Sequence, residues 1–156
     1  MISMFALKSS EGAEHYYTQD NYYSTDQGVE KSLWAGSGST SLGLFGSVRP
    51  DEFKALLNGY VDDQQLGKRE KNEEGSIEIQ HRAGYDVTFS APKSVSIMAE
   101  IYGDQALRDA HEKAVLTSLR YIEDNVIQVR QQVDGETNRV STSSMVAALF
   151  QHETSR

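Results

Sequence analysis

The chain has 156 residues, with 15 Lys+Arg against 23 Asp+Glu and a formal charge of −8. Its length suits one domain or a piece of a larger one, and its 38% hydrophobic content lies below the globular norm of about 45–50%, a norm that also counts Gly. The absence of Cys excludes disulfides, thiolate catalysis and Cys-based zinc sites, and fits a reducing cytosol.

No apolar stretch approaches the roughly 20 residues of a membrane span. The first eight residues, MISMFALK, lack the basic and long apolar regions of a signal peptide. A soluble, cytoplasmic protein without membrane insertion is the expectation. Acid is unevenly placed: residues 1–80 carry 7 basic and 13 acidic groups, residues 81–156 carry 8 and 10. Phosphate attraction depends on Lys and Arg, so any polyanion site is a local patch, expected in the second half.

Residues 2–7 are apolar and form an opening strand. A polar segment follows to about residue 33 and holds two tyrosine pairs, Tyr16-Tyr17 and Tyr22-Tyr23. The Gly-rich run after Trp34 is turn-forming. Its Gly36-Ser37-Gly38 is a weak dinucleotide signal, set aside because no leading strand is read and no third Gly follows at the right spacing. Pro50 to Leu57 reads as a short helix: Pro in the first turn, acids near the N-terminus, and Phe53, Leu56 and Leu57 on one face. Residues 62–76 mix charges without apolar period and read as a solvated, mobile loop.

Ile77 to Phe89 is extended, broken near Arg82-Ala83-Gly84, with Tyr85, Val87 and Phe89 alternating against Asp86, Thr88 and Ser90. A helix then starts with Ser90 as N-cap and Pro92 in its first turn. Val95, Met98, Ala99 and Tyr102 form its inward stripe, and Gly103 stops it. A long helix is expected from Asp104 to about Gln132. Its apolar face comprises Leu107, Ala110, Ala114, Val115, Leu119, Ile122, Val126, Val129 and Val133, with Asp104 as cap and Asp134-Gly135 as stop. A last strand, Arg139 to Gln151, leads to His152. The order β–loop–α–β–α–α–β predicts an α+β protein, an antiparallel sheet covered by helices.

Three sets of residues could carry chemistry. Four tyrosines within eight positions of a polar segment (16–23) fit neither helical nor strand core spacing. Taken alone they read as half-buried surface aromatics. As a nucleophile, a phenol of ordinary pKa near 10 needs a nearby base, cation or activated electrophile. Asp86, on the polar face of its strand, could orient such a phenol, or simply pair with Arg82 or water. His152 is a lone imidazole at a strand end, and His15, His81 and His111 are scattered without metal-ligand spacing.

Together these pieces resemble the N-terminal part of the conjugative relaxase domain of the TrwC/TraI type, in the HUH endonuclease superfamily. The matching stretches are HYYTQDNYY (15–23), LWAGSGSTSLGLFGSV (33–48), GYDVTFSAPKSVS (84–96), AHEKAV (110–115) and MVAALFQHETSR (145–156). GYDVTFSAPKSVS followed at distance by FQHETSR is a highly specific pairing.

The resemblance implies site- and strand-specific nicking of plasmid transfer-origin DNA through a 5′-phosphotyrosine. Tyr16 resembles the primary nucleophile and Tyr17 its neighbour. Tyr22 and Tyr23 resemble a second pair used in later strand transfer. Asp86 resembles the acid that helps activate the nucleophile. His152 resembles the first of three histidines binding a divalent metal, Mg or Mn. The other two, in a His-hydrophobe-His strand, have no counterpart before Arg156, so the expectation is a fragment that by itself lacks metal-dependent nicking. Arg82, Lys93 and Arg156 are the basic residues nearest the motifs and are expected to contact DNA. The implied partners are single-stranded or hairpin transfer-origin DNA and the relaxosome and coupling proteins of conjugation. The alternatives are a non-catalytic single-stranded DNA-binding module and a helical interaction fragment.

Overall fold

The computed structural model describes residues 1–7, 31–62, 64–71, 75–133 and 135–151. Tyr16, Tyr17, Tyr22, Tyr23, His152 and Arg156 lie outside the described residues. In chain order the elements are β1 (Ile2–Leu7), β2 (Ser32–Ala35), α1 (Ser37–Ser41), α2 (Pro50–Leu57), β3 (Tyr60–Val61), β4 (Gln64–Gln65), β5 (Lys68–Lys71), β6 (Ile77–Gln80), β7 (Gly84–Phe89), α3 (Lys93–Ser96) with a π-helical turn (Ile97–Ile101), α4 (Gln105–Asn125), β8 (Gln128–Val133), β9 (Glu136–Ser141) and β10 (Ala147–Phe150). The strands form antiparallel pairs β1–β7, β2–β10, β3–β4, β5–β6 and β8–β9. This is the predicted α+β class.

One apolar cluster organises the part of the chain that matters for function. Trp34, Val48, Phe53 and Leu57 are its buried members, and Leu7, Leu44, Leu56, Ala83, Ala148 and Phe150 pack against it. α2 delivers Phe53 and Leu57 from one face; Pro50 starts it and Asp51 and Glu52 sit in its first turn, where they favour the positive helix end. The Phe53 and Phe150 rings meet edge-on with centroids 5.3 Å apart, a favoured aromatic geometry. The Val48 amide donates to Ser32 Oγ at 2.9 Å, so the fully buried Val48 carries a satisfied backbone donor.

A second fastening is polar. Glu123 on α4 is 8% exposed, the one buried residue of that helix. Its Oε1 accepts from Ser37 N at 2.8 Å, Ser37 Oγ at 2.7 Å and Met145 N at 2.9 Å, so one carboxylate oxygen ties α4 to α1 and to the segment before β10. The Ser37 hydroxyl also lies 2.5 Å from Ser143 O, so its single proton is shared between two acceptors. Burial pushes the Glu123 carboxyl up, but the hydrogen bonds from Ser37 and Met145 outweigh it and hold the group below its ordinary value.

The same contact explains the glycines. A Cβ at Gly36 would lie 2.2 Å from Met145 O, and one at Gly38 2.8 Å from that oxygen; the Gly38 amide donates to it at 3.0 Å. Gly36 also has φ +90°, outside the range of most side chains. The GxG serves a close backbone crossing. A strand, β2, does lead into it, contrary to the sequence reading, but the following helix has only five residues.

Five further expectations need correction. The long helix ends at Asn125, not near Gln132: Val129 and Val133 belong to β8, which pairs antiparallel with β9 from Val133–Glu136 onward. Val and Ile favour strands, and Asp-Gly is a hairpin turn signal as well as a helix stop. The final run is two strands, β9 and β10, with different partners. Ser90 caps nothing; its amide and carbonyl instead pair with Met1, extending β1–β7, and Pro92 takes the N-cap position without a side-chain bond. The π turn rotates the stripe, so Ala99 is buried while Met98 and Tyr102 are exposed. Two strands, β4 and β5, lie within residues 62–76, which read from the sequence as a loop, although Lys68, Arg69 and Lys71 are exposed. Asp104 caps α4 as predicted, accepting from Leu107 N at 3.2 Å.

Glu123→Ala would strand the Ser37 and Met145 amides, at a cost of about 2 kcal/mol or more, read as a lower unfolding midpoint in urea. Because the folded carboxyl sits below its unfolded value, its contribution is fully present above about pH 4.3 and fades as pH falls through the folded value. The margin of the parent over Glu123→Gln should therefore shrink in acid; a margin independent of pH between 3 and 6 (~3–6 as the range scanned) would contradict this. Gly36→Ala should destabilise by about 2 kcal/mol or more through clash and strained φ, checked by the same denaturation.

Candidate functional site

Asp86 occupies β7 directly opposite Phe5 of β1, and Thr88 is opposite Ser3. Paired residues share a sheet face, so Leu7, Phe5 and Ser3 line one face with Gly84, Asp86 and Thr88. Tyr85, Val87 and Phe89 point to the other, as the alternation predicted. Asp86 is half-buried, a position where a carboxylate feels neighbouring charge strongly yet stays reachable.

Arg82 is engaged with Tyr85: its Nη1 donates to the Tyr85 hydroxyl at 2.8 Å and its guanidinium lies 5.7 Å from the ring centroid. Tyr85 is on the face opposite Asp86. Arg82 remains exposed, as does Lys93 in the first turn of α3, so both cations are accessible to a phosphate.

The apolar cluster brings the described ends of three site-bearing segments together. Leu7, the last residue of β1 and the root of the segment holding Tyr16, packs on it. So does Ala83, next to Arg82 and three residues before Asp86, and so does Phe150, two residues before His152. The described residues bring Asp86, Arg82 and Lys93 onto neighbouring elements of one strand–helix unit; the tyrosines, His152 and Arg156 lie outside them.

Among the described residues no three His, Cys, Asp or Glu side chains converge as a metal site. His81 and His111 are half-buried and belong to separate elements. The donors among the described residues make no metal site, and His152 lies outside them. A cleft of about 390 Å³ lies between β2, α1 and α4, lined by Trp34, Ser37, Arg120, Glu123 and Met145 among others. It includes neither Asp86 nor the predicted cations.

Sequence reasoning overlooked two features. Glu123 falls on the apolar side of α4, four residues after Leu119, and a carboxylate in that stripe is the signal that marks it. β5 falls in the stretch 62–76 that reads as loop, while β6 lies in the stretch that reads as extended; in their ribbon Arg69 and Lys71 lie opposite Ile79 and Ile77, making one face basic and apolar. The alternation K-R-E-K against I-E-I-Q was the available signal.

Residues 10–156 match the family model of the TrwC relaxase. The chain is 45% identical over its whole length to the multifunctional conjugation protein TraI of Escherichia coli and 44% identical to that of strain K12, spanning 8% of each. Among solved structures it is similar to the conjugative relaxase TrwC in complex with OriT DNA in a metal-free state, with TM-score 0.78 and 34% identity, covering all of this chain and 51% of that one. A copper-bound TrwC complex with OriT DNA gives TM-score 0.80 at 32% identity, covering 99% and 52%. TrwC with a 27-mer comprising the recognition hairpin and cleavage site gives 0.76 at 35%, covering 100% and 50%. The chain thus spans about half of the TrwC relaxase structures it resembles, with their α+β fold, and it belongs to the TrwC relaxase family.

Proposed function

We propose that this chain carries the nucleophile-bearing part of a conjugative relaxase centre that nicks one strand of plasmid transfer-origin DNA. The observation that carries the reading is the packing of Leu7, Ala83 and Phe150 on one cluster. Leu7 precedes the segment that holds Tyr16, Ala83 lies three residues before Asp86, and Phe150 two residues before His152.

In this reading Tyr16 Oη attacks the scissile phosphorus. The new Tyr–O–P bond forms as the bond from phosphorus to the 3′ oxygen breaks, and that oxygen takes up a proton to leave a free 3′-hydroxyl. The phenolic proton passes to Asp86 or to water held by it. The 5′-phosphotyrosine conserves the phosphodiester energy, so rejoining needs no added fuel. Tyr17 assists its neighbour, and Tyr22 and Tyr23 serve a second transfer. Arg82, Lys93 and Arg156 neutralise nearby phosphates, and the β5–β6 ribbon, of a width that a major groove admits, offers Arg69 and Lys71 to hairpin DNA. A divalent metal would polarise the phosphate when bound; of its ligands this chain supplies His152. Relaxosome and coupling proteins are the further partners of the proposal, and the cytoplasm its location.

The alternative is a DNA-binding module without chemistry.

Two outcomes are expected. This chain by itself, with Mg²⁺ or Mn²⁺, should leave supercoiled origin plasmid unnicked; Tyr16-dependent relaxation on an agarose gel would show a complete centre. Joined to the remaining half of a TrwC relaxase domain, it should form a covalent adduct with an origin oligonucleotide, visible on a denaturing gel. Tyr16→Phe should abolish the adduct and Asp86→Asn should slow it by about 10²–10⁴-fold. An undiminished adduct in both variants would refute the assignment.

A further inference from the structure

The β8–β9 hairpin is unlike the rest of the chain. All residues of both strands are exposed, and Gly135, just before β9, has φ +84°, suited to a tight hairpin turn. The register pairs Gln128 with Ser141, Val129 with Val140, Arg130 with Arg139, Gln131 with Asn138, Gln132 with Thr137 and Val133 with Glu136. Alternation therefore sorts the side chains into two faces. One holds Val129, Val133 and Val140 with Gln131, Asn138 and Glu136. The other holds Arg130 and Arg139 side by side, flanked by Gln128, Gln132, Thr137 and Ser141.

Two guanidiniums directly across a strand pair repel and destabilise the ladder. No carboxylate shares their face, and among the described residues neither Arg takes part in an ion pair. In a chain of net charge −8, where acids outnumber bases, this acid-free face with two adjacent cations stands out. An anion lying between the two forks would turn repulsion into attraction, and each guanidinium can grip a phosphate bidentately. Gln, Ser and Thr above and below add neutral donors of the types that contact nucleic-acid backbones. The three same-face pairs extend the rail over about 13 Å. The face carries no aromatic or apolar side chain that could anchor in a lipid interface.

We propose that this face is a phosphate-backbone rail that holds nucleic acid without regard to sequence, separate in the chain from the nicking motifs. It rests on the reading of the protein as DNA-processing and adds a contact that the catalytic motifs do not contain.

The test is the salt dependence of binding, by fluorescence anisotropy, of a labelled oligonucleotide of scrambled sequence to the full chain. Each phosphate neutralised contributes about 0.7 to the slope of log K against log salt for single strands and about 0.9 for duplex. Arg130→Gln/Arg139→Gln should flatten the slope by about 1.4 to 1.8 and weaken low-salt binding about ten-fold or more. Arg130→Lys/Arg139→Lys should keep the slope. Circular dichroism of both variants should match the parent, since the residues are exposed. Unchanged slopes in the Gln variant, loss of slope in the Lys variant, or binding of the parent to phosphatidylserine vesicles but not to the oligonucleotide would each overturn the proposal. A chain that forms no Tyr16 adduct but shows the slope change leaves the rail standing; an adduct with unchanged slopes removes the rail alone.

Discussion

The arrangement depends on the apolar cluster around Trp34, Val48, Phe53 and Leu57. Removing apolar surface from water is non-directional, so by itself it specifies no geometry. Here it acts through the ends of elements. Leu7, Ala83 and Phe150 are terminal or flanking residues of β1, β7 and β10, and burying them places the exits of those strands over a common base. One small core gathers the ends of three segments that lie far apart in the sequence.

Around that core the fastening is polar. Glu123 sits where a leucine would continue the stripe of α4, yet it satisfies two backbone amides and shares a hydroxyl proton. A buried carboxylate with such donors is stabilised in its charged form and is more demanding of geometry than an apolar contact. The close crossing of Met145 over Gly36 and Gly38 follows from the same demand: the carboxylate draws the backbones together, and the crossing leaves no room for a Cβ. The Gly-rich run that could pass for a phosphate loop is thus explained by packing against the lead-in to β10.

The exposed apolar residues of β1 and β7 carry a related message. Ile2, Met4 and Phe5 are exposed, as is Tyr85, and a two-stranded sheet has little independent stability. The chain covers about half of the TrwC structures it resembles. The split of the fold into separate two-stranded ladders is consistent with that proportion.

Much was legible in the amino-acid order because it reflects local physics. The alternation at Tyr85–Phe89 set which face Asp86 occupies, Pro50 and its acids marked a helix start, and Asp104 announced a cap. The paired tyrosines and the GYDVTFSAPKSVS and FQHETSR segments pointed to the family by resemblance. Tertiary contact decided the rest. Whether Val126–Val133 continued a helix or turned into a hairpin depended on a partner strand beyond Gly135, because a β-branched run with mixed spacing satisfies both periods. Ser90 left its capping role because Met1, 89 residues away, offered a backbone ladder. Glu123 found its place only through Ser37 and Met145, which no local pattern connects to it. Local order determines what each segment can be; long-range hydrogen bonds and burial select among those options, since their energies depend on neighbours that sequence proximity does not supply.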